Sequence, residues 1–160
     1  MKKVIVVSII LMFSTLGSKA QGTLNLGVNF ALPIESARSF SDIGLGLESA
    51  YMYEIMETFD LGASVGLTVF NARNNPKLIF IPIAASASFL ASKDFTVITD
   101  FGYALGVNKG NKGGYYYKPK LNYMLNEFIN FNIFYSGITR FEGSQWTSLG
   151  AGITYTFHKD

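Results

Sequence analysis

Taken in steps of two, the residues from Thr23 to Leu32 separate into two faces. Leu24, Leu26, Val28, Phe30 and Leu32 alternate with Asn25, Gly27, Asn29 and Ala31. Apolar positions at period two mark a strand with one face in an apolar medium. The alternation returns along the chain and predicts eight strands: Thr23–Leu32, Ile43–Tyr53, Phe59–Phe70, Leu78–Phe89, Phe95–Val107, Tyr115–Leu125, Phe128–Gly137 and Thr147–Phe157. The second face is built mainly of Gly, Ser, Asn, Thr and Ala. The outer face of a soluble protein would be far richer in Lys and Glu. The apolar face is therefore expected to meet lipid, and the small polar face to line a narrow interior.

Strand length supports the same reading. A tilted strand needs about 9–11 residues to cross a bilayer, whereas strands of soluble sheets centre near 5–6. The connections alternate longer and shorter, the rhythm of an up-and-down barrel with longer external loops and tight periplasmic turns. The expected fold class is all-β: an eight-stranded antiparallel up-and-down transmembrane β-barrel. The longer loops are then Pro33–Asp42, Asn71–Lys77, Asn108–Gly114 and Ile138–Trp146.

Charge and glycine both respect the two faces. Glu48, Asp60, Asp100, Lys118 and Lys120 are the charges inside the strands, and all fall on the polar parity. A basic residue on the lipid face at the midplane would cost about 2–4 kcal/mol. Gly27, Gly44, Gly46, Gly62, Gly66, Gly102, Gly106, Gly150 and Gly152 share that polar parity, with Gly137 the exception. An eight-stranded barrel has room inside only for side chains, and glycine relieves the crowding. Pro82 and Pro119 fall inside the fourth and sixth strands and are expected to mark bulges or strand ends.

The first twenty residues read as a signal peptide. Lys2 and Lys3 precede an apolar run from Val4 to Phe13, and Ser18-Lys19-Ala20 is a small-x-small exit site. The run is too short for a spanning helix. The domain organisation expected is 1–20 signal peptide and 21–160 barrel. The formal charge of +2 then misleads. Removing Lys2, Lys3 and Lys19 from the 13 basic residues leaves one fewer than the 11 acidic ones, so no basic excess argues for nucleic acid.

The chain resembles the small outer-membrane β-barrel family of Gram-negative bacteria, the group of OmpX and the OmpA membrane domain. The resemblance covers Gln21 to Asp160. It rests on the leader, the strand count, the alternating faces and the last strand, Gly150-Ala151-Gly152-Ile153-Thr154-Tyr155-Thr156-Phe157. That strand resembles the C-terminal signal read by the barrel-assembly machinery, with Tyr155 and Phe157 as its aromatic positions. The resemblance implies an outer-membrane location and a monomer in contact with outer-membrane lipid and lipopolysaccharide.

Candidate chemistry is sparse. Some eight-stranded outer-membrane barrels modify lipid A with a His, a Ser and often an acid. Here His158 is the one histidine, it follows the last strand, and no Gly-x-Ser-x-Gly elbow occurs. With no cysteine and no acidic cluster, neither a metal nor another cofactor is expected. Catalysis is not expected either. Glu48, Lys118, Lys120 and Asp100 form the strongest polar constellation. Folding the fifth and sixth strands about Gly110 sets Asp100 opposite Lys120, with Glu48 across the barrel. A Glu48–Lys120–Asp100 network would plug the lumen. A gate or narrow solute path is the competing reading. Arg38, Arg73, Lys77, Lys109, Lys112 and Arg140 outnumber Glu35, Asp42 and Glu142 on the loop rim, and could pair with lipopolysaccharide phosphates.

Aromatic residues cluster near strand ends. Tyr51, Tyr53, Phe59, Phe89, Phe95, Tyr123, Tyr155 and Phe157 are expected at the periplasmic girdle. Phe30, Phe70, Tyr115, Tyr117 and Trp146 are expected at the outer rim. The role expected for this barrel is structural, in envelope integrity or surface interaction through its loops. Its competitors are a small-solute transporter, a lipid A-modifying enzyme and a soluble lipocalin-like barrel with its apolar face inward.

Overall fold

Eight runs of period-two sequence become eight strands: β1 (Gly22–Ile34), β2 (Ser41–Met56), β3 (Phe59–Ala72), β4 (Leu78–Leu90), β5 (Phe95–Gly106), β6 (Gly114–Met124), β7 (Ile129–Thr139) and β8 (Gln145–Phe157). The computed structural model describes residues 22–39, 41–72, 77–108, 110–140, 143 and 145–157. The expected signal peptide, Arg73, Lys109, Glu142 and His158 lie outside the described residues. Each strand pairs antiparallel with its sequence neighbour, and β1 pairs with β8 from Leu24↔Phe157 to Ile34↔Thr147, closing the barrel. Closure leaves no strand edge, which is how a sheet satisfies its backbone in lipid.

The faces fall as the alternation requires. Val28, Leu47, Phe101 and Ile153 project outward and are 61%, 58%, 65% and 56% exposed. Asp100, Lys118 and Lys120 point inward and are buried. A lipocalin-like interior would need the opposite assignment.

The two prolines depart from expectation. Neither ends its strand and neither makes a bulge. The β3–β4 ladder passes from Val65↔Ile83 to Thr68↔Phe80 without changing register, skipping the positions at Pro82. The β6–β7 ladder likewise passes from Tyr117↔Gly137 to Lys120↔Phe134 across Pro119. In an antiparallel ladder a residue exchanges both backbone bonds with one neighbour. A missing N–H therefore interrupts one seam only. Pro82↔Ala104 and Thr99↔Pro119 remain paired on the other side. The irregular steps lie instead at the ends of the β2–β3 ladder, between Ser41 and Ile43 and between Glu54 and Met56.

At the loop end, Glu35–Ser39 forms a short 3-10 helix within the expected first loop. Its Ala37 is buried against the barrel's apolar cluster. The 107–113 connection is fixed to β4. Asn108 Oδ1 accepts from Ile79 N at 2.6 Å, and Asn111 Nδ2 donates to Ile79 O at 3.3 Å.

Candidate functional site: the closed lumen

The ring order places β2 and β6 on opposite walls. Glu48 on β2 nevertheless touches β6 directly. Lys118 Nζ donates to Glu48 Oε2 at 2.5 Å, and Lys120 Nζ donates to Glu48 Oε1. Lys120 Nζ also lies 2.9 Å from Asp100 Oδ2. Ser86 Oγ donates to Asp100 Oδ1 at 2.6 Å. Lys118 Nζ sits 4.2 Å from the centroid of Phe134, within cation–π range. Two acids and two bases thus meet at mid-lumen with no net charge.

Unequal walls explain how one carboxylate spans the barrel. Gly27 and Gly66 flank Glu48 as its ladder partners on β1 and β3. They leave the near wall without side chains at that level. Two long lysine stems on the far wall extend into the space.

The expected grouping of Glu48, Lys120 and Asp100 is observed, with Lys118 as a fourth member. The expected register is not. Asp100 pairs with Lys118, and Lys120 pairs with Ile98. The cause is the off-centre fold of the 107–113 connection. Asn111 tucks beneath Gly106, where a Cβ would stand 2.2 Å from Asn111 O. The hairpin consequently centres one residue before Gly110, which shifts each pairing by two residues. A two-residue shift keeps parity, so the charges still share the lumen, and the Lys120–Asp100 bridge runs diagonally.

The loop-end half of the lumen holds what the sequence reading missed. Phe70, Phe80 and Trp146 are buried inside the barrel, with Phe70 and Trp146 rings 5.3 Å apart and Phe70 and Phe80 6.2 Å apart. Tyr116, Phe134 and Ile138 complete the cluster. Phe70 and Trp146 therefore leave the expected outer aromatic rim. They are lumen residues. Parity carried the signal, because all of these positions fall on the face that also carries the charges. Glycine again makes room: the Phe134 ring occupies the space a Cβ on Gly150 would need, and Phe70 does so at Gly44.

The turn-end half is polar. Asn130 Nδ2 donates to Thr156 Oγ1 at 3.0 Å, which donates to Asn25 Oδ1 at 2.7 Å. Asn132 Nδ2 donates to Thr154 Oγ1 at 3.2 Å. Asp60, the fifth charge, lies half-buried near the turn end, away from the central four.

Small cavities of about 30 Å³ lie on either side of the charges among the described residues. One lies between the aromatic layer and the charges, lined by Phe80, Tyr116, Lys118 and Glu48. The other lies on the turn side, lined by Glu48, Asp100, Lys120 and Asn122. A water needs roughly 10–15 Å³ of such volume, so each accommodates a few waters at most. Glu48 lines both.

Among the described rim cations, Arg38, Lys77 and Lys112 are exposed and Arg140 is half-buried. They lie on separate connections and form no common pocket. Tyr155 and Phe157 project outward from β8, with ring centroids 4.6 Å apart. Among the described residues, no group of His, Cys, Asp and Glu is arranged to hold a metal.

An apolar exterior, a closed antiparallel ring of eight strands and a charged interior define the architecture of the small outer-membrane β-barrels. Solved structures of that class are similar to this chain in shape. The crystal structure of Ail, the attachment invasion locus protein of Yersinia pestis, superposes with a TM-score of 0.61 at 12% identity, over 88% of this chain and 100% of Ail. The N-terminal barrel domain of Pseudomonas aeruginosa OprF gives 0.55 at 12% identity, over 87% and 100%. Neisserial surface protein A gives 0.53 at 13% identity, over 86% and 98%. At such identities the likeness is one of fold. No family model and no curated protein matches the chain.

Proposed function

We propose that this chain is a monomeric outer-membrane barrel with a side-chain-plugged lumen, serving envelope integrity or surface interaction through its short loops. The observation that carries the reading is the Glu48 contact with Lys118 and Lys120, which joins opposite walls of the ring. The aromatic cluster adds a second barrier on the loop side, and Ala37 packs into it from above. Burying charges is costly unless they are paired. Here the pairing itself fills the passage, which fits a structural role better than a narrow solute path.

In this reading the N-terminal segment directs export, and the barrel-assembly machinery reads β8 with Tyr155 and Phe157. The exterior meets lipid. Arg38, Lys77, Lys112 and Arg140, with Arg73 and Lys109 in the sequence between them, contact lipopolysaccharide phosphates. No catalytic step and no cofactor enters the reading. Cell fractionation with gel migration before and after boiling tests class and compartment together. The expected result is an outer-membrane band whose mobility shifts on boiling. A soluble, unshifted band would overturn the reading.

A further inference from the structure

The turn end of the barrel departs from the rule that governs its interior. Inward positions in that half are mainly Asn, Ser and Thr, yet Leu90 and Met124 share the lumen parity of Ser88 and Asn122 and stand exposed at the mouth. Parity aims them over the barrel axis and away from lipid. The β2–β3 hairpin adds Ile55 and Met56, with Met56 63% exposed. β2 runs three residues past Tyr53, its last partner on β1 among the described residues. The hairpin tip therefore stands beyond the level at which β1 begins. Leu125, in the third turn, is exposed as well.

Acids surround these apolar side chains. Glu54, Glu57, Asp60, Asp94 and Glu127 are answered at this end by one base, Lys93, among the described residues. The ion pairs between described residues lie at mid-lumen and include none of the five acids. Glu54 and Asp60 are ladder partners, and like charges set directly opposite each other destabilise a sheet. Ser88, the partner of Asp60 on β4, supplies a hydrogen bond but no counter-charge. The turns are laced into a firm ring. Leu90 N donates to Thr58 O at 2.9 Å, Met124 N to Asp94 O at 2.8 Å and Thr156 N to Phe128 O at 2.8 Å, so each turn is tied to the next hairpin or strand. A water-facing surface with exposed apolar side chains and unanswered acids is built to be covered.

We propose that the turn end is a docking surface for a basic, partly apolar segment of a protein on the periplasmic side. Cationic side chains of that segment enter between Glu54 and Asp60 and lie along the turn acids. Its apolar side chains rest on Met56, Leu90 and Met124, where the unbranched thioethers adapt to the contour. The acidic rim repels anionic headgroups of the inner leaflet, which makes lipid the poorer cover. The proposal rests on the outer-membrane reading above, which puts the turns in the periplasm, and it adds a contact at the end opposite the loops.

The test places p-benzoylphenylalanine at Met56 or Met124 of the full chain, in the bacterium that encodes it, and irradiates intact cells. Arg38, exposed at the loop end, is the control position. Both turn-end positions should give an adduct with the same protein, and the control should not. Mass spectrometry should map the adduct to a segment in which Lys and Arg outnumber Asp and Glu. Glu54→Gln/Glu57→Gln/Asp60→Asn should lower the adduct yield about tenfold. A boiling-dependent gel shift checks folding. If the triple variant does not fold, Glu57→Gln alone should lower the yield about threefold. Adducts confined to lipid, to a second copy of this chain or to an acidic segment overturn the proposal, as does a yield that survives neutralisation of the acids. A boiling-sensitive barrel in the outer membrane that gives no adduct overturns the docking alone. A chain absent from the outer membrane overturns that reading and the docking with it.

Discussion

Glu48 is the residue on which the interior depends. Its carboxylate serves two lysines, whereas Asp100 bridges to one, Lys120. Glu48→Gln leaves Lys118 without an ion-pair partner in a desolvated lumen. The expected destabilisation is about 3–5 kcal/mol, read from urea unfolding in lipid vesicles. Adding Lys118→Met should recover part of the loss, because an apolar residue needs no counter-charge. Glycines give a second contrast. At Gly62 an added Cβ would stand 2.0 Å from the Tyr51 carbonyl oxygen, whereas at Gly46 its nearest neighbour is Thr68 Oγ1 at 3.4 Å. Gly62→Ala should cost about 1–3 kcal/mol, while Gly46→Ala should be neutral or stabilise by about 0.4–1 kcal/mol. The same unfolding assay separates the two.

Parity decided most of what the residue-level reading of the sequence could see. It assigned Glu48, Asp100, Lys118 and Lys120 to the lumen because a charge has one affordable side of a lipid-facing strand. It held the same information for Phe70, Phe80, Tyr116, Phe134 and Trp146. Proximity to a strand end suggested an interfacial belt for Phe70 and Trp146, and the alternation outweighs that cue. What parity cannot supply is which large inner residues meet, since that depends on where a glycine stands as ladder partner on the neighbouring strand, as Gly150 does for Phe134 and Gly44 for Phe70.

At the scale of elements, the strands were legible to within a few residues, because each must carry a lipid-crossing length of alternation. Register was less so. Loop 107–113 folds back on β4 through Asn108 and Asn111, and this side-chain chemistry sets where the β5–β6 hairpin closes. The prolines were read as local breaks, yet a closed ring holds each strand from both sides. Pro82 and Pro119 each interrupt one ladder, and the intact neighbouring ladder preserves the register. These gaps should be the weak points of the wall. Hydrogen exchange in micelles should show Gly66, Leu67, Tyr135 and Ser136 less protected than the central residues of the β1–β8 seam. Equal protection across all of these positions would mean that the gaps are closed in solution.

The whole molecule is layered along its axis: a polar turn end, a neutral cluster of four charges, an aromatic layer and a short 3-10 helix over the loop end. Trp146, the sole tryptophan of the chain, reports on the aromatic layer. Its emission should be blue-shifted yet resist quenching by lipids with brominated chains. Strong quenching would place it on the lipid face instead. Layering also bears on transport, because the lumen cavities on either side of Glu48 are water-sized. Current through single barrels in a planar lipid bilayer tests the closed lumen most directly. The wild-type protein should insert without producing a steady open level. A stable, large conductance from correctly folded, boiling-sensitive barrels would contradict it.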